Sequence, residues 1–307
     1  MVSTNRILCA IDFSDFSLDA LRHGLVLARW YSAQLTLLHV YQISQPLPVE
    51  GPRRGVPVFV AADPNQVEED VRQFCAPVLG ASGQSVEIVV RPGDAAREIR
   101  NEAERLPFDL LILGTHGRSG FERLFLGSVT EKVLRSTRVP VLTIPPPVRE
   151  PGSPLYKTIL CPLDFSAASI RALEHALSLA QQADARLILM HVIEDVLSDA
   201  ASQAMALADL SVSKYYNHLE KDAATRLKAV VPDDARVWAR PEERVVRGRA
   251  YDEILKLVAD ERVELVVMGV EGKGAVNRLM FGSTTNRVIR EAGCPVLTLH
   301  SGGAGAL

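Results

Sequence analysis

The stretch that decides the fold is Ile7-Leu8-Cys9-Ala10-Ile11-Asp12-Phe13-Ser14, because it occurs twice in the chain. Residues 159–166 read Ile-Leu-Cys-Pro-Leu-Asp-Phe-Ser, 152 positions later. A short apolar run that ends in Asp and a turn is typical of a strand buried in a parallel sheet. The second occurrence predicts that the chain is a tandem repeat rather than one large domain.

The repeat extends through both halves of the chain. His39-Val40 corresponds to His191-Val192 at the same offset, whereas Gly114 corresponds to Gly269 at an offset of 155, so the second copy has one net insertion of three residues. Between the copies, residues 145–154 contain five prolines and favour an extended linker. We therefore predict two domains, 1–147 and 154–307. Two domains also fit a length of 307 residues.

Strand and helix patterns alternate within each copy. The predicted strands are 6–12, 34–41, 85–91, 109–114 and 139–145, then 157–164, 185–193, 264–269 and 294–299. The first predicted helix begins at Ser14 or Ser17. The other predicted helices cover 64–80, 94–105, a segment from Ser128, 205–230, 250–261 and a segment from Ser283. One further strand, within 236–247, is less regular because Pro241 interrupts it and inner strands disfavour proline.

This alternation predicts two tandem, doubly wound α/β sandwich domains of Rossmann-like type, each with a five-stranded parallel sheet. Ligands of such folds bind beyond the carboxyl ends of the strands, at the point where the strand order reverses.

Composition and charge narrow the class of protein. Apolar residues make up 47% and charged residues 23%, and the net charge is −3, so no basic surface for nucleic acid or membrane is indicated. No apolar run reaches the ~18 residues of a membrane span, and the N-terminus lacks a signal-peptide pattern. The four cysteines have no metal-ligand spacing. We expect a cytoplasmic protein with reduced thiols.

The glycine-rich segment after the fourth strand carries most of the chemical information. Gly114-Thr-His-Gly117 through Gly127-Ser128, and Gly269-Val-Glu-Gly272 through Gly282-Ser283, both reduce to G-x2-G-x9-G-S. Glycines at a strand end permit positive φ and close backbone approach to a ligand. The Gly-Ser pair opens a helix, whose first amides attract phosphate. Arg118 and Lys273 supply matched cations. The alternative to a phosphate site is that these glycines merely end strands and cap helices. The full match of the motif in both copies disfavours this alternative.

A carboxylate ends the first strand of each copy, at the same edge of the sheet. Asp12 and Asp164 can accept hydrogen bonds from ribose hydroxyls or approach a phosphate-bound Mg²⁺. Alternatively they form an Asx turn or a helix cap, for which Ser14 and Ser166 are also suited. Neither a Walker A sequence nor GxGxxG occurs, so a P-loop and the common dinucleotide fingerprint lack support.

These motifs resemble the universal stress protein family over essentially the whole chain. The resemblance rests on D-F-S after strand one, H-V at the end of strand two, G-x2-G-x9-G-S and a proline-led last strand, and G-T-H-G-R…L-G-S-V-T-E is similar to the ATP-binding subgroup. It implies an adenine nucleotide alpha hydrolase-like fold that binds ATP, with or without Mg²⁺. By this resemblance Asp12 holds the ribose and the backbone of Val40 contacts adenine.

Motifs and resemblance together predict a nucleotide site in each copy. In the first copy its residues are Ala10, Asp12, Val40, Gly114, Thr115, Gly117, Arg118, Gly127, Ser128, Val129 and Thr130. In the second they are Pro162, Asp164, Val192, Gly269, Val270, Gly272, Lys273, Gly282, Ser283, Thr284 and Thr285. The second copy departs from the pattern at Val270-Glu271, where a carboxylate repels phosphate.

The leading hypothesis is an ATP-binding stress or regulatory protein in which occupancy carries the signal. One alternative is a slow ATPase or phosphotransferase, for which His116 is the candidate proton carrier. Because Glu271 replaces it in the second copy, we predict no catalytic residue and at most weak ATPase activity. The other alternative is a nucleotide-independent dimeric scaffold. The resemblance implies pairing, within the chain and as a homodimer, through the last strands (139–145 and 294–299).

Overall fold

The computed structural model of the chain describes residues 4–42, 44–46, 59–116, 126–146, 156–194, 209–271 and 282–302. These residues form two compact units, one within Ser3–Glu150 and the other within Pro151–Leu307. The predicted domain boundaries at residues 147 and 154 lie outside the described residues. In the described part of the chain, no helix is both long and apolar enough to cross a membrane.

The first unit alternates strands and helices as the sequence predicts. Its elements are β1 (Arg6–Ile11), α1 (Asp15–Tyr31), β2 (Gln34–Tyr41), β3 (Ser44–Pro46), β4 (Phe59–Ala61), α2 (Pro64–Ser82), β5 (Glu87–Pro92), α3 (Ala95–Arg105), β6 (Leu110–Gly114), α4 (Ser128–Ser136) and β7 (Val141–Ile144). Among its described residues, five parallel strands form a sheet in the order β5-β2-β1-β6-β7. The strand order reverses between β1 and β6, so the carboxyl ends of these two strands flank a crevice.

The core of this sheet follows from its apolar strands. Ile7, Leu8 and Cys9 of β1 are fully buried, and Leu111 and Ile112 of the neighbouring β6 are equally inaccessible. Continuous burial on both faces is expected for an inner parallel strand covered by helices. Helix α1 packs against both strands. The core therefore fixes the ends of β1 and β6 relative to each other.

The second unit repeats this arrangement. Its elements are β8 (Thr158–Pro162), α5 (Ala167–Ala183), β9 (Arg186–Ile193), α6 (Asp209–Val230), α7 (Asp233–Ala239), β10 (Glu242–Arg247), α8 (Ala250–Asp260), β11 (Leu265–Gly269), α9 (Ser283–Glu291) and β12 (Val296–Leu299). Within the unit the described strands are parallel in the order β10-β9-β8-β11-β12. The predicted doubly wound α/β fold is confirmed for each unit.

The irregular third strand of the second copy is shorter than the 236–247 segment. Residues Asp233–Ala239 form helix α7, Arg240 adopts a left-handed φ of 40°, and β10 begins directly after Pro241. In the unit's strand order β10 has a single neighbour, β9. The proline therefore precedes an edge strand, where it removes no inner ladder hydrogen bond.

Candidate functional site

A cavity of about 370 Å³ opens at the reversal point of the first unit. Its described walls are Ala10, Ile11, Asp12, Ser17, Leu38, Val40, Ala95, Ile99, Leu113, Gly114, His116, Gly127, Ser128, Val129 and Thr130. The volume lies in the range of about 300–1,000 Å³ that small-molecule sites occupy. Eight predicted positions thus share one cavity: Ala10, Asp12, Val40, Gly114, Gly127, Ser128, Val129 and Thr130.

Asp12 forms the Asx turn, one of the two alternatives that the sequence left open, and it does so at the wall of the cavity. Its Oδ1 accepts hydrogen bonds from the Ser14 amide at 3.1 Å and from Ser14 Oγ at 2.5 Å, while the residue also lines the cavity. Ser14 in turn caps α1, because its Oγ accepts from the Ser17 amide at 3.2 Å. In the second unit Asp164 and Ser166 repeat this turn at 2.9 and 2.6 Å. The turn fixes each carboxylate at the cavity rim.

The phenylalanine after each aspartate is strained in the same way. Phe13 and Phe165 both have a φ of 62°, in the left-handed region that bulky residues rarely adopt. Each ring packs against the histidine that ends the second strand, with centroids 4.6 Å from His39 and 4.7 Å from His191. Sequence reasoning missed this conformation, although the repeated D-F-S motif carried the signal.

The two histidines join adjacent strands. Nδ1 of His39 lies 2.7 Å from the Ile11 carbonyl, and Nδ1 of His191 lies 2.6 Å from the Leu163 carbonyl. Because a carbonyl only accepts, Nδ1 is the donor in both bonds. Each histidine thus ties the end of its strand to the aspartate turn.

The first glycine of each motif is required by close approach. A Cβ on Gly114 would lie 3.2 Å from the Phe16 carbonyl oxygen, and one on Gly269 would lie 2.8 Å from the backbone of Ala168 and Ser169. Neither glycine has a positive φ, so glycine is used at these positions for close approach rather than for a left-handed backbone. The helix start packs so tightly against the strand end that no side chain fits between them.

The helices α4 and α9 begin at the cavity with open amides. Their N-caps, Gly127 and Gly282, provide no side-chain cap, and Ser128 and Ser283 are exposed in the first turn. The first amides of a helix have no intrahelical acceptor and face a positive dipole end. An anion at the cavity would therefore find donors in both units.

The threonines of the first turn have a different role. Thr130 Oγ1 donates to the Gly114 carbonyl at 2.8 Å, and Thr285 Oγ1 donates to the Gly269 carbonyl at 3.0 Å. Both are buried. Because these hydroxyl protons are already used, the two threonines fasten the helix start to the strand end.

One predicted position in each copy differs from the others in its placement. Thr115 and Val270 are each 1% exposed and do not line the cavities, and Thr115 Oγ1 donates to the Ile144 carbonyl at 3.3 Å. Their side chains belong to the core behind the site. Gly117, Arg118, Gly272 and Lys273 lie outside the described residues.

The cavity of the second unit is larger, at about 660 Å³. Its walls include eight predicted positions: Pro162, Asp164, Val192, Gly269, Gly282, Ser283, Thr284 and Thr285. Helix α6 adds Leu219, Asp222, Ala223 and Arg226. The Arg226 guanidinium lies 4.0 Å from the centre of the Phe165 ring. In the first unit a second aromatic ring takes this position, because Phe74 packs against Phe13 with ring centroids 5.2 Å apart. Sequence reasoning missed this difference, although Phe74 and Arg226 share the offset of 152.

Helices α3 and α8 supply an apolar wall that the sequence analysis did not include. Ile99 lines the first cavity and Ile254 the second, and both are buried. Their shared distance from Gly93 and Gly248 was the available signal. Each site thus combines an apolar wall, a carboxylate and open helix amides in one cavity, which suits a ligand with a flat apolar ring, hydroxyls and phosphate.

The residue after Thr115 or Val270 is the main chemical difference between the sites. His116 lines the first cavity, its Nδ1 lies 2.9 Å from Thr115 Oγ1, and burial lowers its pKa below the ordinary value. Its Nε2 has no hydrogen-bond partner among the described residues. Glu271 occupies the corresponding position in the second cavity. In the described part of the chain, no group of three or more His, Cys, Asp or Glu residues is arranged to hold a metal.

Comparison with known proteins identifies one family for both halves. The model of the universal stress protein family matches residues 3–145 and again residues 155–300. A universal stress protein of Methanocaldococcus jannaschii is 30% identical over 156 residues, 48% of this chain and 96% of that protein. Universal stress protein G of Escherichia coli O157:H7 is 31% identical over 148 residues, 48% of this chain and all of that protein. Each relative therefore corresponds to one half of the chain.

A solved structure is similar over both halves. The crystal structure of a universal stress protein from Archaeoglobus fulgidus aligns with a TM-score of 0.66, at 22% identity, and covers 97% of this chain and 99% of that one. At this identity the likeness concerns the fold alone. It agrees with two tandem units of one α/β architecture.

Proposed function

Because the chain belongs to the universal stress protein family, with one family domain in each half, we propose that it is a regulatory protein of the stress response whose occupancy by an adenine nucleotide carries the signal. ATP is the proposed ligand, with Mg²⁺ on its phosphates. The resemblance of G-T-H-G-R…L-G-S-V-T-E to the ATP-binding subgroup supports this choice.

One observation carries the proposal: the same cavity is built twice at the reversal point of a parallel sheet. In each unit a fixed aspartate turn and an uncapped helix start line one apolar-walled cavity. Asp12 and Asp164 are placed to accept from ribose hydroxyls. The open amides of α4 and α9 are placed to donate to phosphate.

Binding rather than turnover fits the described side chains. A phosphoryl-transfer site needs a group that orients the attacking water or hydroxyl. The candidate proton carrier in the first cavity is His116, and the second unit has Glu271 in its place. Ligand binding alone stabilises the folded state by about 2.7 kcal/mol at a hundredfold excess over Kd. A nucleotide that binds only one of two conformations of a domain would shift their equilibrium by the same free energy.

The experiment is calorimetric titration of the purified full chain with ATP, with and without Mg²⁺, after extraction of any co-purified nucleotide. We expect ATP binding that Gly127→Asp abolishes at the first site, since the new carboxylate lies at the phosphate end. If neither ATP nor any other adenine nucleotide binds under either condition, the proposed function is wrong. Pairing through the last strands stays a prediction of the resemblance, which sedimentation of the full chain checks.

A further inference from the structure

The two cavities differ in charge. With histidines neutral, the described walls of the first cavity carry one charged side chain, Asp12, for a formal charge of −1. The described walls of the second carry four carboxylates and one guanidinium, for a formal charge of −3: Asp164, Glu194, Asp222, Glu271 and Arg226. Because like charges repel more strongly in a partly desolvated cavity than in water, this difference bears on how much phosphate each site accepts.

Among the four carboxylates of the second cavity, Glu271 is the nearest in sequence to the helix start where phosphate is expected. The Gly282 amide donates to the carbonyl of the preceding residue, Val270, at 3.0 Å. Ser166 Oγ lies 3.2 Å from the Glu271 carbonyl and also donates to Asp164. The backbone of Glu271 thus lies between the aspartate turn and the first turn of α9.

The Glu271 carboxylate is held in place by its neighbours. Oε2 accepts from Ser301 Oγ at 2.5 Å, and Oε1 lies 3.2 Å from His300 Nδ1. The side chains of Glu271 and His300 are only 12% and 10% exposed. Burial alone would raise the pKa of Glu271, but the hydrogen bonds from Ser301 and His300 outweigh it and the pKa lies below its ordinary value. The group is therefore an anion at neutral pH.

The first unit cannot form this cluster. The positions that correspond to His300 and Ser301 are Pro145 and Pro146, which have no side-chain donor, and His116 stands in place of Glu271. Arg226 does not offset the added carboxylate directly, since its guanidinium stacks on Phe165 and lies 4.0 Å from Asp222. The cluster Glu271–His300–Ser301 is therefore specific to the second site.

We propose that the second site takes adenine ligands of low charge, a nucleoside or a nucleoside monophosphate, and that Glu271 is the residue that disfavours the triphosphate there. The first site then takes ATP. This inference rests on the proposed function, since it assigns a ligand class to one of the two proposed nucleotide sites. The two sites of the chain would then bind two adenine ligands of different charge rather than two molecules of the same ligand.

Calorimetric titration of the full chain with adenosine, AMP and ATP tests this proposal. In a Gly127→Asp background, which isolates the second site, we expect AMP or adenosine to bind at least about tenfold more tightly than ATP. Glu271→Gln keeps the shape of the side chain and removes its charge, so it should raise ATP affinity about tenfold while adenosine affinity changes less than about twofold. The reciprocal variant His116→Glu, made without Gly127→Asp, should lower ATP affinity at the first site by a similar factor.

The outcomes separate the inference from the proposed function. Equal affinities for AMP and ATP at the second site, unchanged by Glu271→Gln, would overturn the inference and leave the proposed function standing. ATP binding at the first site with no adenine ligand at the second would do the same. Failure of every adenine ligand at both sites would overturn both. If Gly127→Asp does not fold, as judged by circular dichroism, the His116→Glu titration decides: unchanged ATP affinity contradicts the assigned role of charge at this position.

Discussion

At the scale of single residues, the hydroxyl groups of Ser128 and Thr130, both in the first turn of α4, have different roles. Thr130 is buried and donates to the Gly114 carbonyl, whereas Ser128 is exposed on the cavity wall. Thr285 and Ser283 repeat the division in the second unit. Such a division means that stability and ligand affinity are separable by substitution.

Thr130→Val should lower stability, because it keeps the side-chain shape but removes the hydroxyl that donates to the partly buried Gly114 carbonyl. We expect a loss of about 1–2 kcal/mol in the free energy of unfolding, measured by urea denaturation. Ser128→Ala is the matched control, with stability changed by less than about 0.5 kcal/mol and ATP affinity reduced. Equal destabilisation by both variants would contradict the division.

His116→Ala should leave any ATP hydrolysis at its slow wild-type rate. Because burial lowers the pKa of His116, the ring is neutral at pH 7 and brings no positive charge to the phosphate. Since Glu271 stands at the corresponding position, the two sites do not share this histidine. Phosphate release measured with wild type and variant checks this. Rapid hydrolysis that collapses in the variant would instead show that the first unit is an ATPase.

At the scale of elements, two of the helix starts around each cavity differ in how they are capped. Helices α1 and α5 have serine caps, Ser14 and Ser166, whose hydroxyls also bond the cavity aspartates. Helices α4 and α9 start at glycine without a side-chain cap. One helix start in each unit therefore holds the carboxylate, and the other has amides to offer a ligand.

Ser14→Ala and Ser166→Ala should each destabilise their own unit by about 1 kcal/mol, the usual cost of removing a serine N-cap. Each should also weaken ligand binding, because the aspartate turn loses one of its two anchors. Denaturation and calorimetry on the same samples give both quantities. A variant that is destabilised yet binds with unchanged affinity would show that the turn does not position the carboxylate.

Most of the helices and strands could be predicted from the sequence, because the apolar runs, the capping residues and the repeat all indicated the same elements. The predicted helix 64–80 is observed as Pro64–Ser82, and the predicted strand 34–41 as Gln34–Tyr41. Helix α7 was not predicted, because Val237 and Trp238 favour a strand locally while Pro232 and the turn at Arg240 define a helix. The left-handed Phe13 depends on tertiary packing against His39, which no local pattern reveals.

Most residues of the candidate site could be predicted because they recur at fixed offsets in the two copies of the repeat. What sequence could not show was which way each side chain points. Thr115 and Thr130 are both polar residues of the motif, yet one packs behind the sheet and the other fastens the helix start. The Glu271–His300–Ser301 cluster joins the ends of β11 and β12, and only the strand pairing brings these positions together.

At the scale of the whole molecule, duplication has also repeated a histidine on the first helix of each unit, which is buried in the first unit and half-buried in the second. His23 on α1 and His175 on α5 are 152 residues apart, and each places Nδ1 at 3.1 Å from the carbonyl four residues earlier. Burial lowers the pKa of both, against the smaller effect of that hydrogen bond, and burial lowers the pKa of His116 as well. Three histidines in two units therefore resist protonation in the folded state.

The folded chain should accordingly lose stability as pH falls from 7.5 to 5.5. Around and below the ordinary histidine pKa of 6.5, the unfolded chain binds protons that the folded chain resists, so acidification favours unfolding. Glu102 and Glu271, whose pKa values are lowered, stay ionised throughout this window and contribute no slope. Urea denaturation across the window measures the trend, and the double variant His23→Gln/His175→Gln should flatten it, because glutamine does not titrate. A slope unchanged in that variant would place the responsible proton elsewhere, with His116→Ala as the next variant to compare.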